Sequence, residues 1–488
     1  LPGSQTYRTV SGDPDAALIV LMPKLNSLTA TLPALDVQAN FQLTHDAVIG
    51  WEYKINATLV FYYGSDPLDN PNRDPPLASS EETTTVIPVP LRVRKTLSSN
   101  SYWGSKDIPT GPNYAFNYSI FLDAMKDSFE RINVTDYLPP EVQFVRLVAV
   151  RNLTGTDPVN YVVRSLPSTN DTDGVLWIKI PRLNGDDGDD VEIVVEAFIP
   201  YNNSLGPIVT PSQSSKKCTN NVYVNYTLHG KFYEAETQFD VWAHVFVLRK
   251  GVSIYRDEYS PGLSAWDQLE YTMTFYVSDF FNLTHMIIYD TLSDGQVVLR
   301  NMTPTFYIKN ASGVISGVFQ PDEYYYGPDH ADSGRTRIYF NISKALIRLA
   351  GSDRIVGGLV GEDWRFNASE FKPPFGNGRT YGYVKFWTLV EDAYSVDVPG
   401  DEIMDSRDYV SDDARLEALV ENVTVTRSAS ASISVPRIKF TKTIAYLNGN
   451  PLPPQPVYVR TGDNITFSLV IEIPTGNTEN LTITDYLP

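Results

Sequence analysis

The sequence predicts an all-β chain of tandem β-sandwich domains, and three observations carry that prediction. Short runs of Val, Ile, Thr, Tyr and Phe alternate with clusters of Pro, Gly, Asn and Asp, the pattern of strands joined by turns. One ordered set of landmarks recurs three times along the chain. The length, 488 residues, exceeds a single hydrophobic core and suggests about three domains.

The repeat opens with a lysine-led strand: LRVRKTL (91–97), FVLRKGV (246–252) and IKFTKTI (438–444). A turn and an aromatic strand follow: TGPNYAFNYSIF (110–121), AWDQLEYTMTFY (265–276) and TGDNITFSLVIE (461–472). An acidic strand closes the set: INVTDYLP (132–139), MIIYDTLS (286–293) and LTITDYLP (481–488). Lys95 to Asp136 spans 41 residues, Lys250 to Asp290 spans 40, and Lys442 to Asp485 spans 43. A near-constant period of this kind marks repeated supersecondary units.

The second half of the unit recurs as well. DGVLWIKIPRLNG (173–185) matches DAALIVLMPKLNS (15–27), and an Asn-bearing strand follows each: NNVYVNYTLHG (220–230) and NATLVFYYG (56–64). The chain therefore reads as the C-terminal half of a sandwich plus a Pro-rich linker (1–86), a whole sandwich (87–243), a longer one with an insertion (244–431), and the N-terminal half of another (432–488). Half a sandwich leaves an apolar face and a row of backbone groups without partners. The expectation is that 432–488 of one copy completes 1–86 of its neighbour, a head-to-tail contact that propagates a filament. Leu18, Val20, Phe467, Leu469, Ile471 and Ile483 would fill that shared core.

The lysine-led strand, the G-D-x-apolar-x-aromatic turn, the T-D-x-L-P phrase and the late Asn strand resemble the conserved-repeat immunoglobulin-like domains of microbial surface adhesins and fibres. The resemblance is good over 91–139 and 438–488, fair over 246–295 and poor over 296–413; YDTLSDG lacks the Pro, and the repeats are longer than the family's compact unit. It implies an immunoglobulin-like sandwich and a structural or adhesive role at the cell surface, and no reaction.

Composition narrows the setting. A net charge of −19 argues against nucleic acid, whose phosphates demand clustered cations. No apolar run approaches the roughly 20 residues of a membrane span. The one cysteine, Cys218, excludes an internal disulfide framework. Fifteen Asn-x-Ser/Thr sequons occur, at Asn56, Asn117, Asn133, Asn152, Asn170, Asn202, Asn225, Asn282, Asn301, Asn310, Asn341, Asn367, Asn422, Asn464 and Asn480. Chance would supply about five, so the excess points to a secreted, N-glycosylated surface.

Alternate residues of a strand share a face, so Lys95, Lys250 and Lys442 point inward with their apolar neighbours, as do Asp136, Asp290 and Asp485. A buried charge of either sign demands a partner. One reading is a plain buried ion pair. The other, carried over from the surface-domain resemblance, is a Lys–Asn isopeptide bond with the Asp as proton shuttle; Asn221 or Asn220, Asn422 and Asn56 are then the candidate amides.

Little else points to chemistry. Asp186, Asp187, Asp189 and Asp190 are weak calcium candidates without regular spacing, and a solvated turn accounts for them equally. The five histidines form no metal motif, and no nucleophile elbow or phosphate loop occurs. The sequence is thus read as a non-enzymatic fibre subunit with no cofactor beyond N-linked glycans. Its main partner is itself, with glycans or a cell surface as further candidates. The alternative is an adhesin or glycan-binding protein whose repeats form a stalk, with DEYYYGPDH (322–330) in the insertion as a sugar-stacking surface.

Overall fold

The computed structural model describes residues 6–9, 18–21, 53–61, 78–86, 91–98, 103–124, 128–153, 159–185, 189–258, 262–311, 313–330, 333–360, 371–396, 408–436, 439–451, 462–473 and 483. The chain divides into two compact units, Leu1–Leu91 with Thr482–Pro488, and Arg92–Leu481. Among the described residues almost all regular structure is strand, and no helix is long and apolar enough to cross a membrane.

Among its described residues the first unit holds two antiparallel pairs. β1 (Thr6–Thr9) pairs with β2 (Leu18–Leu21), and β3 (Tyr53–Phe61) pairs with β4 (Ala78–Val86). Leu18 and Val20 fall on β2 and Asn56 on β3, with their side chains outside the described residues. Asp186, Asp187, Asn367, Asn480 and Asp485 also lie outside them.

The second unit begins with a sandwich built around one long strand. Its elements are β5 (Arg92–Leu97), β6 (Asp107–Pro109), β7 (Phe116–Asp123), β8 (Ser128–Asn152), β9 (Val162–Ser165), β10 (Thr172–Asn184) and β11 (Val191–Phe198), then a small hairpin of β12 (Asn202–Asn203) and β13 (Gly206–Pro207), then β14 (Ser215–Leu228) and β15 (Lys231–His244). β8 runs 25 residues and serves both leaves. Its first part lies between β10 and β14, with Val134 opposite Ile178 and Val224. Its last part pairs with β11, with Val150 opposite Ile193. Pro139 and Pro140 sit at the crossing, where a residue without an N–H costs the ladder least. One leaf is therefore β5-β7-β11-β8 and the other β9-β10-β8-β14-β15-β6. Between them Ile120, Ile193, Val134, Ile178 and Val224 are buried, each side chain set inward by the period of two.

The second sandwich follows after a single residue. β16 (Phe246–Arg256), β17 (Gln268–Val277), β19 (Gln296–Val298), β20 (Thr305–Asn310), β21 (Gly313–Val318) and β25 (Thr380–Val390) form one leaf. β18 (Asn282–Leu292), β22 (Tyr324–Pro328), β23 (Thr336–Asn341), β24 (Ile355–Val356), β26 (Tyr409–Val420) and β27 (Val423–Ser434) form the other. The one α-helix among the described residues, α1 (Ile342–Ala350), is capped by Asn341, whose Oδ1 accepts the Lys344 N–H at 2.8 Å, and closes at Gly351 with φ 72°. A three-stranded sheet ends the unit: β28 (Lys439–Leu447), β29 (Asn450–Pro451) and β30 (Ile465–Glu472).

Polar groups lock the two sandwiches together. Asp279 is buried and accepts both the backbone N–H and the side-chain amide of Asn113, at 2.9 and 3.0 Å. Tyr114 donates its hydroxyl to the Val277 and Thr380 carbonyls at 2.7 and 3.0 Å. Gly111 has φ 128°, and a Cβ there would sit 2.2 Å from the Asp279 carboxylate, so only glycine fits this approach.

Candidate functional site: buried lysine clusters and an uncovered sheet

The three lysine-led strands pair in one register. Lys95 lies opposite Ile120, Lys250 opposite Met273 and Lys442 opposite Leu469. One aromatic ring recurs beneath each ammonium: Tyr118 at 4.4 Å from Lys95, Tyr271 at 5.1 Å from Lys250 and Phe467 at 4.5 Å from Lys442. The lysine-led strand pair thus has the same local register at all three places.

In the first sandwich Lys95 Nζ donates to Asp136 Oδ1 at 2.7 Å, and both side chains are buried. Burial pulls the Lys95 amine down to about 8, against the opposing pull of Asp136. Burial also raises the Asp136 carboxyl, with Lys95 and then Asn220 opposing that rise. Both groups are pushed toward their neutral forms. Asn220 is fully buried beside them, whereas Asn221 is only half-buried, so of the two candidate amides Asn220 alone shares the burial of the pair. Neither polar atom of Asn220 completes a hydrogen bond, nor does Asp136 Oδ2 or the Tyr118 hydroxyl. Asn220 nonetheless stands near enough to Asp136 and Tyr118 to oppose the rise that burial imposes on each, so the amide belongs to the same buried polar cluster.

The second sandwich departs from the expected set. Lys250 bonds Asp290 at 2.5 Å and also Asp412, and all three side chains are fully buried. Asn422 is not the buried partner: it occupies the exposed turn between β26 and β27, in the left-handed region with φ 68°. Asp412 takes that place because it alternates with Ala414, Leu416 and Ala418 on the inward face of β26. Its carboxyl is raised well above the ordinary range, first by burial and then by Asp290.

The third lysine differs again. Phe440, Lys442 and Ile444 of β28 face Ile471, Leu469 and Phe467 of β30 on one side of the terminal sheet. Phe440 is 53% exposed, Leu469 37% and Ile483 52%, and Lys442 is exposed. The equivalent Leu248, Met273, Phe275 and Tyr271 of the second sandwich are buried. Unlike Lys95 and Lys250, Lys442 is not buried.

The remaining candidates separate by exposure. Asn170, Asn202, Asn301, Asn422 and Asn464 are exposed, while Asn133, Asn152, Asn225, Asn282 and Asn341 are half-buried. Asn117 and Asn310 are buried, and Asn310 Nδ2 donates to the Arg354 carbonyl at 3.2 Å. Of the four weak calcium candidates, Asp189 and Asp190 are described, and both have protein partners. Asp189 bonds Arg94 at 2.5 Å, and buried Asp190 accepts the Ala124 N–H at 2.6 Å. Among the described residues no cluster of acids, His and Cys is arranged to hold a metal. Cys218 is buried, and burial pushes its thiol up to about 12, which makes it inert.

No family model and no curated protein sequence matches the chain. Among solved structures it is similar to domains D2 and D3 of the major pilin SpaD from Corynebacterium diphtheriae, at 12% identity over 69% of this chain and 88% of that one, with a TM-score of 0.23. It is also similar to the Enterococcus faecalis adhesin ACE, at 11% identity over 70% and 95%, with a TM-score of 0.21. The 35 kDa C-terminal fragment of the major pilin GBS80 of Streptococcus agalactiae gives 10% identity over 70% and 91%, with a TM-score of 0.24. Likenesses this distant carry no functional argument.

Proposed function

We propose that the chain is a structural subunit of an extracellular, N-glycosylated fibre. The apolar face of β28 and β30 in one copy is covered by the 1–86 segment of the next, completing a sandwich between them. The observation that supports this is the uncovered sheet. It repeats the register of two others and leaves Phe440 and Leu469 exposed where Leu248 and Met273 of the second sandwich are buried. The 1–86 segment is the fitting cover because DAALIVLMPKLNS repeats the sequence of β10, which pairs with the Asp136 strand β8 in the intact sandwich.

Within the first sandwich, the proposal extends to an amide bond between Lys95 and Asn220. The neutral Lys95 amine attacks Asn220 Cγ, the new N–C bond forms, the C–Nδ2 bond breaks, and ammonia leaves with the amine's proton relayed by Asp136. At Lys250 and Asp412 the equivalent condensation loses water. Electron microscopy of the purified protein at micromolar concentration tests the fibre, with continuous filaments expected. Monomers whose β28–β30 amides are protected from exchange would overturn it. An intact mass lacking the loss of one ammonia would remove the Lys95–Asn220 bond.

A further inference from the structure

The outer face of the first sandwich carries a feature that fibre assembly does not use. A groove of about 390 Å³ opens between β9, β10, β8 and β14, and Arg131, Arg164 and Lys179 converge on it. Among the described residues no carboxylate lines it. None of the three cations makes an ion pair among the described residues, in a chain whose net charge is −19. Unopposed positive charge concentrated in one cleft of an acidic protein selects an anion.

Two irregularities aim those arginines. Along β14 the register passes from Asn225 opposite Asn133 to Thr227 opposite Glu130, so two residues of β8, Arg131 among them, face one residue of its neighbour. Arg131 takes a left-handed φ of 54° at this bulge, a costly conformation for a non-glycine residue. Along β9 the register passes from Ser165 opposite Trp177 to Val163 opposite Ile178, leaving Arg164 as the extra residue. Bulges of this kind redirect a side chain, and here both redirect an arginine toward one groove.

The rest of the lining fits a sugar. Trp177 is 43% exposed and offers a flat ring for the C–H face of a pyranose. Asn133 Nδ2 donates to Asn225 Oδ1 at 2.7 Å and to the Arg131 carbonyl at 3.2 Å, which fixes a pair of amides at hydroxyl-binding positions. We infer that this groove binds an anionic saccharide, its carboxylates or sulfates on Arg131, Arg164 and Lys179 and one ring on Trp177. The saccharide is either an external polysaccharide or a glycan carried by Asn225 itself. The inference stands apart from fibre assembly, since the groove lies within one intact sandwich.

The test titrates the full chain with an oligomer of galacturonic acid and with the uncharged galactose oligomer. Native glycoprotein and chain made in a host without N-glycosylation are compared. The acidic oligomer is expected to bind at least about tenfold more tightly than the neutral one, to weaken with added salt, and to lose at least about tenfold in affinity in the R164Q/K179Q double variant at unchanged melting temperature. Binding by both forms of the protein supports an external polysaccharide; binding by the unglycosylated form alone supports the Asn225 sugar as occupant. Equal affinity for the two oligomers, a double variant that binds like the parent, or equal binding of a single-stranded oligonucleotide overturns the inference.

Discussion

The β16–β17 pair and the β28–β30 pair contain the same unit in two conditions. In both, a lysine sits over an aromatic ring and opposite an aliphatic residue, flanked by apolar pairs: Leu248 with Phe275 in one, Phe440 with Ile471 in the other. In the first, a second leaf delivers Asp290 and Asp412 to the lysine and buries everything around it. In the second, Phe440 remains 53% exposed. Identical local pairing thus does not by itself bury the lysine, which is buried at Lys250 and exposed at Lys442. Strand pairing sets which residues share a face; coverage sets what chemistry that face can hold.

The comparison breaks most visibly at the uncovered sheet. A Leu469→Asp substitution is expected to abolish filaments seen by electron microscopy while leaving the melting of the two sandwiches unchanged, because its position is 37% exposed in the single chain. Next in size is Lys95→Ala. It removes the buried partner of the Asp136 carboxyl, which must then be buried unpaired or take up a proton, at a cost of about 3–5 kcal/mol in denaturant unfolding. The same change at exposed Lys442 is expected to cost less than about 0.5 kcal/mol in the unassembled chain.

Asn220→Ala leaves the ion pair but removes the amide partner, so the lysine can titrate. The native amine lies at about 8 against 10.5 unfolded. The unfolded chain therefore holds more protons between those values, and stability of this variant is expected to rise with pH across that window, by a few kcal/mol at most. Asp136 acts in the opposite direction: being raised, its contribution is full below the ordinary aspartate range and is lost as pH climbs through the native value. Thermal melts of the variant from pH 5 to 10.5 should show a minimum between the two, and the parent chain, if cross-linked, should show none. Smallest is Asp412→Asn. It replaces the surplus acid of the second cluster by the amide type found in the first, with an expected change within about 1 kcal/mol at neutral pH. The decline that a raised carboxyl imposes as pH rises should also disappear in urea titrations across pH 4 to 8.

Parity made much of this legible in the sequence. Lys95 and Asp136 share their faces with Leu91, Val93 and Val134, and a period of two needs no tertiary information. The same rule would have found Asp412, which alternates with Ala414, Leu416 and Ala418. Its neighbour Asp413 lies on the outer face, so SDDARLE has the composition of a solvated stretch although one of its acids points inward. Asn220 and Asn221 differ only in which of them shares the face of Val222 and Val224. The basic groove was not legible at all. Its three cations come from three strands spread over residues 131 to 179, and two of them reach it through register shifts that no pattern in the chain announces.

Between the two sandwiches, β15 ends at His244 and β16 begins at Phe246. Val245 alone intervenes; it is buried, and its carbonyl accepts the Ser278 N–H at 2.9 Å. A tether this short holds no slack to pay out. Tension applied along the chain passes from one sandwich to the next without extension, and the pair should bend as one stiff rod rather than as two beads on a string.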